Sequence, residues 1–174
     1  ETIDFGPCAF MDEYDPATVY SFIDRRGRYA YGNQPGILQW NLARLAETLL
    51  PLIDADEGQA IERATTSLQG VSARFDRHWL EGFRYKLGLG LHEDGDRALV
   101  TDLLGIMHAE AADFTNTFRA LAAAVQDDAA LPDSFLAWMW RWRARLAREP
   151  GGVASGIATL QRTNPAYVPR NHRV

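Results

Sequence analysis

The sequence predicts a mainly α-helical fold, with an irregular, aromatic-rich arm over residues 1–35 and packed helices over 36–174 forming one structural unit. Three observations predict it. From Leu38 onward apolar residues return every three or four positions, which is the helical period. After residue 35 there is no convincing alternation of apolar and polar residues of the kind a half-buried strand shows. Before residue 36 the chain is punctuated by Gly6-Pro7, Asp15-Pro16, Arg26-Gly27 and Gln34-Pro35, dipeptides that favour turns.

Within the arm, Asp15-Pro16 can open a short helix, with Asp as cap and Pro in the first turn. Tyr14, Tyr20, Phe22, Tyr29 and Tyr31 make the segment aromatic enough to be packed down. Leu38, Leu42, Leu45, Leu49 and Leu52 then step by four, three, four and three, giving the first helix one apolar face. Trp40 lies off that stripe, and Pro51 ends or bends the helix in its last turn. Asp56 is a candidate cap for a second helix running to Leu87. Gly70 and Gly82 each weaken that helix by about 1 kcal/mol relative to Ala without forbidding it. Gly88, Gly90 and Gly95 bracket a loop, and Asp96 can cap a third helix carrying Leu99, Leu103, Ile106 and Met107. Further helical pattern runs through Phe114, Phe118, Leu121 and Val125. It restarts at Phe135 after Pro132-Asp133 and stops at Pro150-Gly151-Gly152. A last short helix covers Val153 to Gln161 before Asn164-Pro165.

The 174 residues suffice for one domain with a real core. An apolar share of 47% and a charged share of 24% exclude wholesale disorder. A net charge of −5 argues against a general nucleic-acid binder. No apolar run approaches the roughly 20 residues that span a bilayer, and the opening residues do not read as a signal peptide. Cys8 is the only cysteine, so neither an internal disulfide nor a cysteine-rich zinc site is available, and a reducing compartment is the plain reading. Thr2-Ile3 reads as the tail of a strand, and Arg170 to Val174 carry no cap; both are expected of a piece of a longer protein.

Asp4-Phe5-Gly6 is the motif with the most chemistry. A carboxylate at the end of a short strand, followed two residues later by a glycine that permits a sharp turn, can hold a hard cation such as Mg²⁺ or Mn²⁺ against nucleotide phosphates. Taken alone, the same three residues more often describe a strand end with a turn. Several longer stretches decide between the two. Asp4-Phe5-Gly6-Pro7, Phe10-Met11-Asp12 and Tyr14-Asp15-Pro16 come first, then Gly27-Arg28-Tyr29 and Tyr31-Gly32-Asn33-Gln34-Pro35. Trp40 through Glu47, Lys86-Leu87-Gly88-Leu89 and Asn164 through Arg173 follow in order. Together these resemble the selenoprotein O family.

That resemblance implies the C-terminal portion of a protein-kinase-like fold (a pseudokinase), with residues 1–35 as a metal-motif and activation-segment-like arm. It implies a protein adenylyltransferase that moves AMP from ATP to Ser, Thr or Tyr hydroxyls of proteins. It implies Asp4 as ligand of Mg²⁺ or Mn²⁺ and, through the metal, of the ATP phosphates. The catalytic base, the Gly-rich loop and the phosphate-binding Lys and Arg residues are expected upstream of Glu1, so the isolated chain is expected to be inactive. A selenocysteine, where members carry one, would lie beyond Val174. ATP and protein substrates are the implied partners, with neither nucleic acid nor membrane, and the isolated chain is expected to be able to oligomerise. The implied location is the cytoplasm in a bacterium or the mitochondrion in a eukaryote.

The rival signal is the run from Trp138 to Arg148. At helical spacing Trp138 and Trp142 share one side and Arg141, Arg145 and Arg148 another. Such a helix could bind a membrane or bases, and more often it is a surface helix with its aromatic side in the core. His108-Ala109-Glu110 lacks the paired cysteines of a deaminase site. Asp54-Ala55-Asp56-Glu57-Gly58 lacks the spacing of a calcium loop. Gly88-Leu89-Gly90 opens no phosphate fingerprint, and Asp76 and His78 read as a solvated helix face. The alternative to an enzyme is a non-catalytic helical module that binds another protein through its aromatic arm.

Overall fold

A computed structural model describes residues 10–168. Among them are seven α-helices and no strand: α1 (Gln34–Ile53), α2 (Glu57–Gln69), α3 (Val71–Lys86), α4 (Asp96–Ala109), α5 (Phe114–Ala124), α6 (Leu136–Leu146) and α7 (Gly152–Thr163). The mainly helical expectation is met. The chain groups into two compact units, one comprising 16–79 and the other, in its described part, 10–15 with 80–168. The sequence division had been drawn at 35/36.

In the unit spanning 16–79, Asp15-Pro16 opens no helix. The carbonyls that a first turn would use are taken instead by Gly32 N–H to Pro16 O at 2.8 Å and Tyr31 N–H to Thr18 O at 3.0 Å. The expectation that all five aromatic residues of the arm pack down also fails, because Phe22 is 93% exposed. Local polar bonds rather than burial shape its loop: the Asp24 carboxylate accepts from the backbone N–H of Arg28 and Tyr29 at 2.8 and 2.7 Å. α1 packs against α2, and Leu42, Leu45, Leu49 and Ile53 face Ala64 and Leu68 across an apolar groove of about 240 Å³. Pro51 lies in the last turn of α1, which ends two residues later.

The single helix expected from Asp56 to Leu87 is two helices. Asp56 does cap α2, accepting from Gln59 N–H at 2.8 Å. At Gly70 the chain breaks, and the Arg74 guanidinium crosses the bare glycine to donate to Ser67 O at 3.1 Å. A Cβ on Gly70 would stand 2.5 Å from Arg74 Nη1, so the absence of a side chain lets the arginine satisfy the helix end.

The second unit holds the main core. α4 packs on α6, and α5 and α6 pack on α7. Trp138 and Trp142 of α6 are both buried and stack with ring centroids 5.5 Å apart. Each indole finds a carbonyl: Trp138 Nε1 donates to Leu99 O and Trp142 Nε1 to Leu87 O, both at 2.8 Å. Leu103 and Met107 of α4, Phe118 and Leu121 of α5, and Leu160 of α7 are buried in the same unit.

Candidate functional site

Asp4, the expected metal ligand, lies outside the described residues. A lone aspartate carboxylate is a hard donor suited to Mg²⁺ or Mn²⁺, but it is a single ligand. Among the described residues no group of three His, Cys, Asp or Glu side chains is placed to hold a metal ion.

What the structure does show is how the chain just after the motif is anchored. Residues 12–14 run beside the α4–α5 junction: Tyr14 N–H donates to Ala112 O at 2.9 Å, Phe114 N–H donates to Asp12 O at 2.7 Å, and Glu13 bridges Asp113. The junction is shaped to receive them. Ala111 adopts a left-handed φ of 49°, and Ala112 N–H returns to Met107 O at 2.9 Å while Ala111 N–H returns to His108 O at 3.3 Å. This is the Schellman closure of a helix end. Met11 and Tyr14 are buried, and the Tyr14 ring stacks on Phe114 at 5.9 Å. Burial, and secondarily the charge of Asp15, raise the Tyr14 hydroxyl pKa above its ordinary value. His108 Nδ1 lies 3.3 Å from Tyr14 O, so this histidine steadies the segment rather than forming a deaminase-like pair with Glu110.

Asp96 does not cap α4. It is the helix's first residue, fully buried, and its carboxylate accepts from Glu93 N–H at 2.9 Å and from Arg145 Nε at 2.7 Å. Arg145 also donates to Glu149 Oε1 and to Leu91 O, each at 2.8 Å. Glu149 in turn accepts from the backbone N–H of Gly90 at 2.9 Å and of Leu91 at 3.2 Å. Arg84 donates to Gly90 O at 3.0 Å and lies 3.8 Å from Asp96, while its own Nε is buried without a hydrogen bond. Arg148 pairs with Glu93 at the rim, at 2.6 Å. Three arginines and three carboxylates thus balance, and they fasten the 87–95 loop to α6.

The sequence grouping of Arg145 with Arg141 and Arg148 is therefore corrected. At about 100° per residue, Arg145 falls within roughly 20° of Trp138 around the helix, on the buried side. That spacing (138, 142, 145) was the signal available in the sequence. Arg141 and Arg148 do face outward, pairing with Asp102 at 2.8 Å and with Glu93.

Two segments that carried the resemblance meet although 78 residues separate them. Lys86 Nζ donates to Asn164 Oδ1 at 3.2 Å, and Asn164 Nδ2 donates back to Lys86 O at 2.9 Å. The Lys86 ammonium also sits 4.7 Å above the Phe118 ring, and desolvation lowers its pKa. Gly88 turns with φ of +78°, and a Cβ there would stand 2.9 Å from Gly156 O, so backbone freedom and close approach both require glycine. The Asp54 and Asp56 carboxylates serve local ends: Asp54 accepts from Asp56 N–H at 3.1 Å and pairs with Arg63 at 3.3 Å.

The chain is thus of a definite class: a mainly α-helical polypeptide with a buried ionic clamp, bearing an Asp-Phe-Gly motif at Asp4 in its sequence. It belongs to the family described as "Protein adenylyltransferase SelO", whose pattern matches residues 1–174. Similar curated proteins carry the name "Protein nucleotidyltransferase YdiU". That of Rhizobium etli (strain CIAT 652) is 55% identical over 183 residues, covering 100% of this chain and 37% of the relative. That of Cereibacter sphaeroides (strain ATCC 17023) is 54% identical over 180 residues, covering all of this chain and 36% of the relative. That of Halalkalibacterium halodurans is 53% identical over 176 residues, again covering all of this chain and 36% of the relative. The chain spans a little over a third of the length of the relatives it matches. No helix among the described residues is long and apolar enough to cross a membrane.

Proposed function

We propose that the complete protein transfers AMP from ATP to hydroxyl groups of Ser, Thr or Tyr in other proteins, and that these 174 residues supply one ligand of its metal site. The observation that carries this reading is the family match over the whole chain, with Asp4-Phe5-Gly6 inside it. In the transfer, the acceptor oxygen bonds to the α-phosphorus, the bond from that phosphorus to the bridging oxygen breaks, and pyrophosphate leaves. The acceptor's proton passes to a base in the part of the protein outside this chain. Asp4 would hold Mg²⁺ or Mn²⁺, which when bound offsets the negative charge of the triphosphate. Anchoring of residues 12–14 on the α4–α5 junction supports the reading, because a ligand-bearing segment must be held in place for positioning to contribute to rate. The kinase-like fold and the cytoplasm as working compartment belong to the same proposal.

Incorporation of labelled AMP into protein tests it, using the complete protein, its Asp4→Ala variant and the isolated chain. The complete protein is expected to be active, the variant nearly inactive though folded, and the isolated chain inactive. Full activity in Asp4→Ala removes Asp4 from the mechanism, and activity in the isolated chain overturns the claim that the catalytic centre needs more than these residues. With Leu45 and Leu52 exposed on α1, the isolated chain is also expected to self-associate, which light scattering would register.

A further inference from the structure

We propose that the loop around Phe22–Arg28, together with Trp40, is a docking surface for an acidic, leucine-bearing segment of the acceptor protein. The proposal rests on the reading of the complete protein as an enzyme acting on proteins, and it concerns a surface within residues 16–79. Phe22 and Ile23 project at the loop tip, 93% and 77% exposed. Burying apolar side chains of this size against a partner would gain hydrophobic free energy. Beside them stand Arg25, Arg26 and Arg28, whose side chains make no ion pair among the described residues. The one carboxylate in this loop, Asp24, is committed to the backbone N–H groups of Arg28 and Tyr29. A chain of net charge −5 therefore carries a locally positive, apolar-tipped loop.

Arg28 is also pre-set for a carboxylate. Its guanidinium lies over the Trp40 ring, 4.2 Å from the centroid. This cation–π contact holds the positive charge at the ring, and no hydrogen bond or ion pair among the described residues engages the Arg28 guanidinium, so its N–H donors remain for a carboxylate. Holding the side chain still reduces the entropy lost on binding. Arg28 and Trp40, with Gly32, Asn33, Gly36 and Ile37, line an open cleft of about 690 Å³ beside these donors. An acidic side chain entering the cleft would reach Arg28, and an apolar neighbour would cover Phe22 and Ile23. Three arginines without an ion pair among the described residues fall short of the clusters of about 4–8 basic residues that recruit anionic lipid, which favours a protein partner over a membrane.

The test measures binding directly, without requiring AMP transfer. The complete protein is titrated with a fluorescent dodecapeptide of Glu and Asp carrying one Leu, with the same peptide lacking Leu, and with its Lys counterpart. Vesicles of phosphatidylcholine and phosphatidylserine form a further arm. The acidic Leu peptide is expected to bind, and Arg25→Gln, Arg26→Gln and Arg28→Gln together are expected to weaken it about tenfold. Phe22→Ser with Ile23→Ser should weaken the Leu peptide several-fold and leave the all-polar peptide unaffected. Added salt should weaken both acidic peptides. All these positions are on an exposed loop, and unfolding midpoints confirm that the variants fold. Equal binding of the Lys peptide, no binding of either acidic peptide, or an unchanged affinity in the triple variant would overturn the proposal. Vesicle binding that the variants abolish, with no peptide bound, would reassign the surface to lipid. If the peptide binds but the complete protein transfers no AMP, the enzymatic reading and the acceptor assignment fail while the surface stands as a site for acidic peptides; the reverse result refutes the surface alone.

Discussion

Arg145 Nε donates to Asp96 Oδ1 at 2.7 Å, and the two side chains, 5% and 0% exposed, sit 49 residues apart in sequence. The pair joins the start of α4 to the end of α6, and through Glu149 and Leu91 it holds the 87–95 loop that precedes α4. Its energetics follow from burial. Two charges removed from water are tolerated only while each satisfies the other, so removing one leaves the other stranded.

Arg145→Met is accordingly expected to destabilise the chain by about 3–5 kcal/mol, since the Asp96 carboxylate loses its main counter-charge. Arg145→Met combined with Asp96→Leu should recover part of that loss. Urea unfolding of the single and double variants measures both, and a double variant no more stable than the single would contradict the charge-stranding explanation.

The two outward arginines of the same stretch should behave differently. Arg141 and Arg148 are more than half exposed in their pairs with Asp102 and Glu93. Arg141→Gln should cost about 0–1 kcal/mol, and Arg148→Gln should likewise change stability little. Both together should leave AMP transfer by the complete protein nearly unchanged. A large loss of transfer at intact stability would place one of them in contact with a substrate.

Acid should reveal the rim pair. The hydrogen bond from Arg148 holds the Glu93 carboxyl below its ordinary pKa of 4.5, desolvation opposing and the charges of Arg145 and Arg148 adding to the shift. The folded form thus releases this proton more readily than the unfolded form. The stabilisation is present above pH 4.5 and lost as pH falls through that value toward the lower folded pKa. The stability difference between wild type and Glu93→Gln should be largest near neutrality and shrink on acidification. A difference that stays constant with pH would argue against an electrostatic origin.

Trp138→Ala should destabilise by about 3–5 kcal/mol, the range for emptying a buried aromatic site. Trp138→Phe should cost less, retaining most of the packing while losing the hydrogen bond to Leu99 O. Thermal unfolding of both variants checks the order.

Close packing of α6 on α7 leads to a further expectation. A Cβ at Gly156 would stand 2.5 Å from Leu146 Cδ1, and Leu146 is fully buried. Gly156→Ala should therefore cost about 1–3 kcal/mol through overpacking. Adding Leu146→Val should offset part of it. Additive losses in a double-mutant cycle would show that the two positions do not compete for space.

The sequence by itself determined the helical class, the Asp56 cap, the glycine loop after Lys86, the aromatic face of α6 and, through motifs in order, the family. These features are local: a period of three or four, a capping side chain and a turn-forming residue each act within a few positions. Asp4, the residue the motif singles out, lies outside the described residues, and the role proposed for it rests on the family resemblance. Tertiary structure decided the break at Gly70, where Arg74 folds back over the helix end. It decided the exposure of Phe22, which polar loop bonds leave in water. It also turned Asp96 from a cap into the buried partner of Arg145, and it joined Lys86 to Asn164. The period of α6 placed Arg145 on the buried side, but no local rule named the carboxylate across from it. Charges 49 residues apart find each other only once the helices that carry them have packed, because burial makes an unpaired charge too costly to keep.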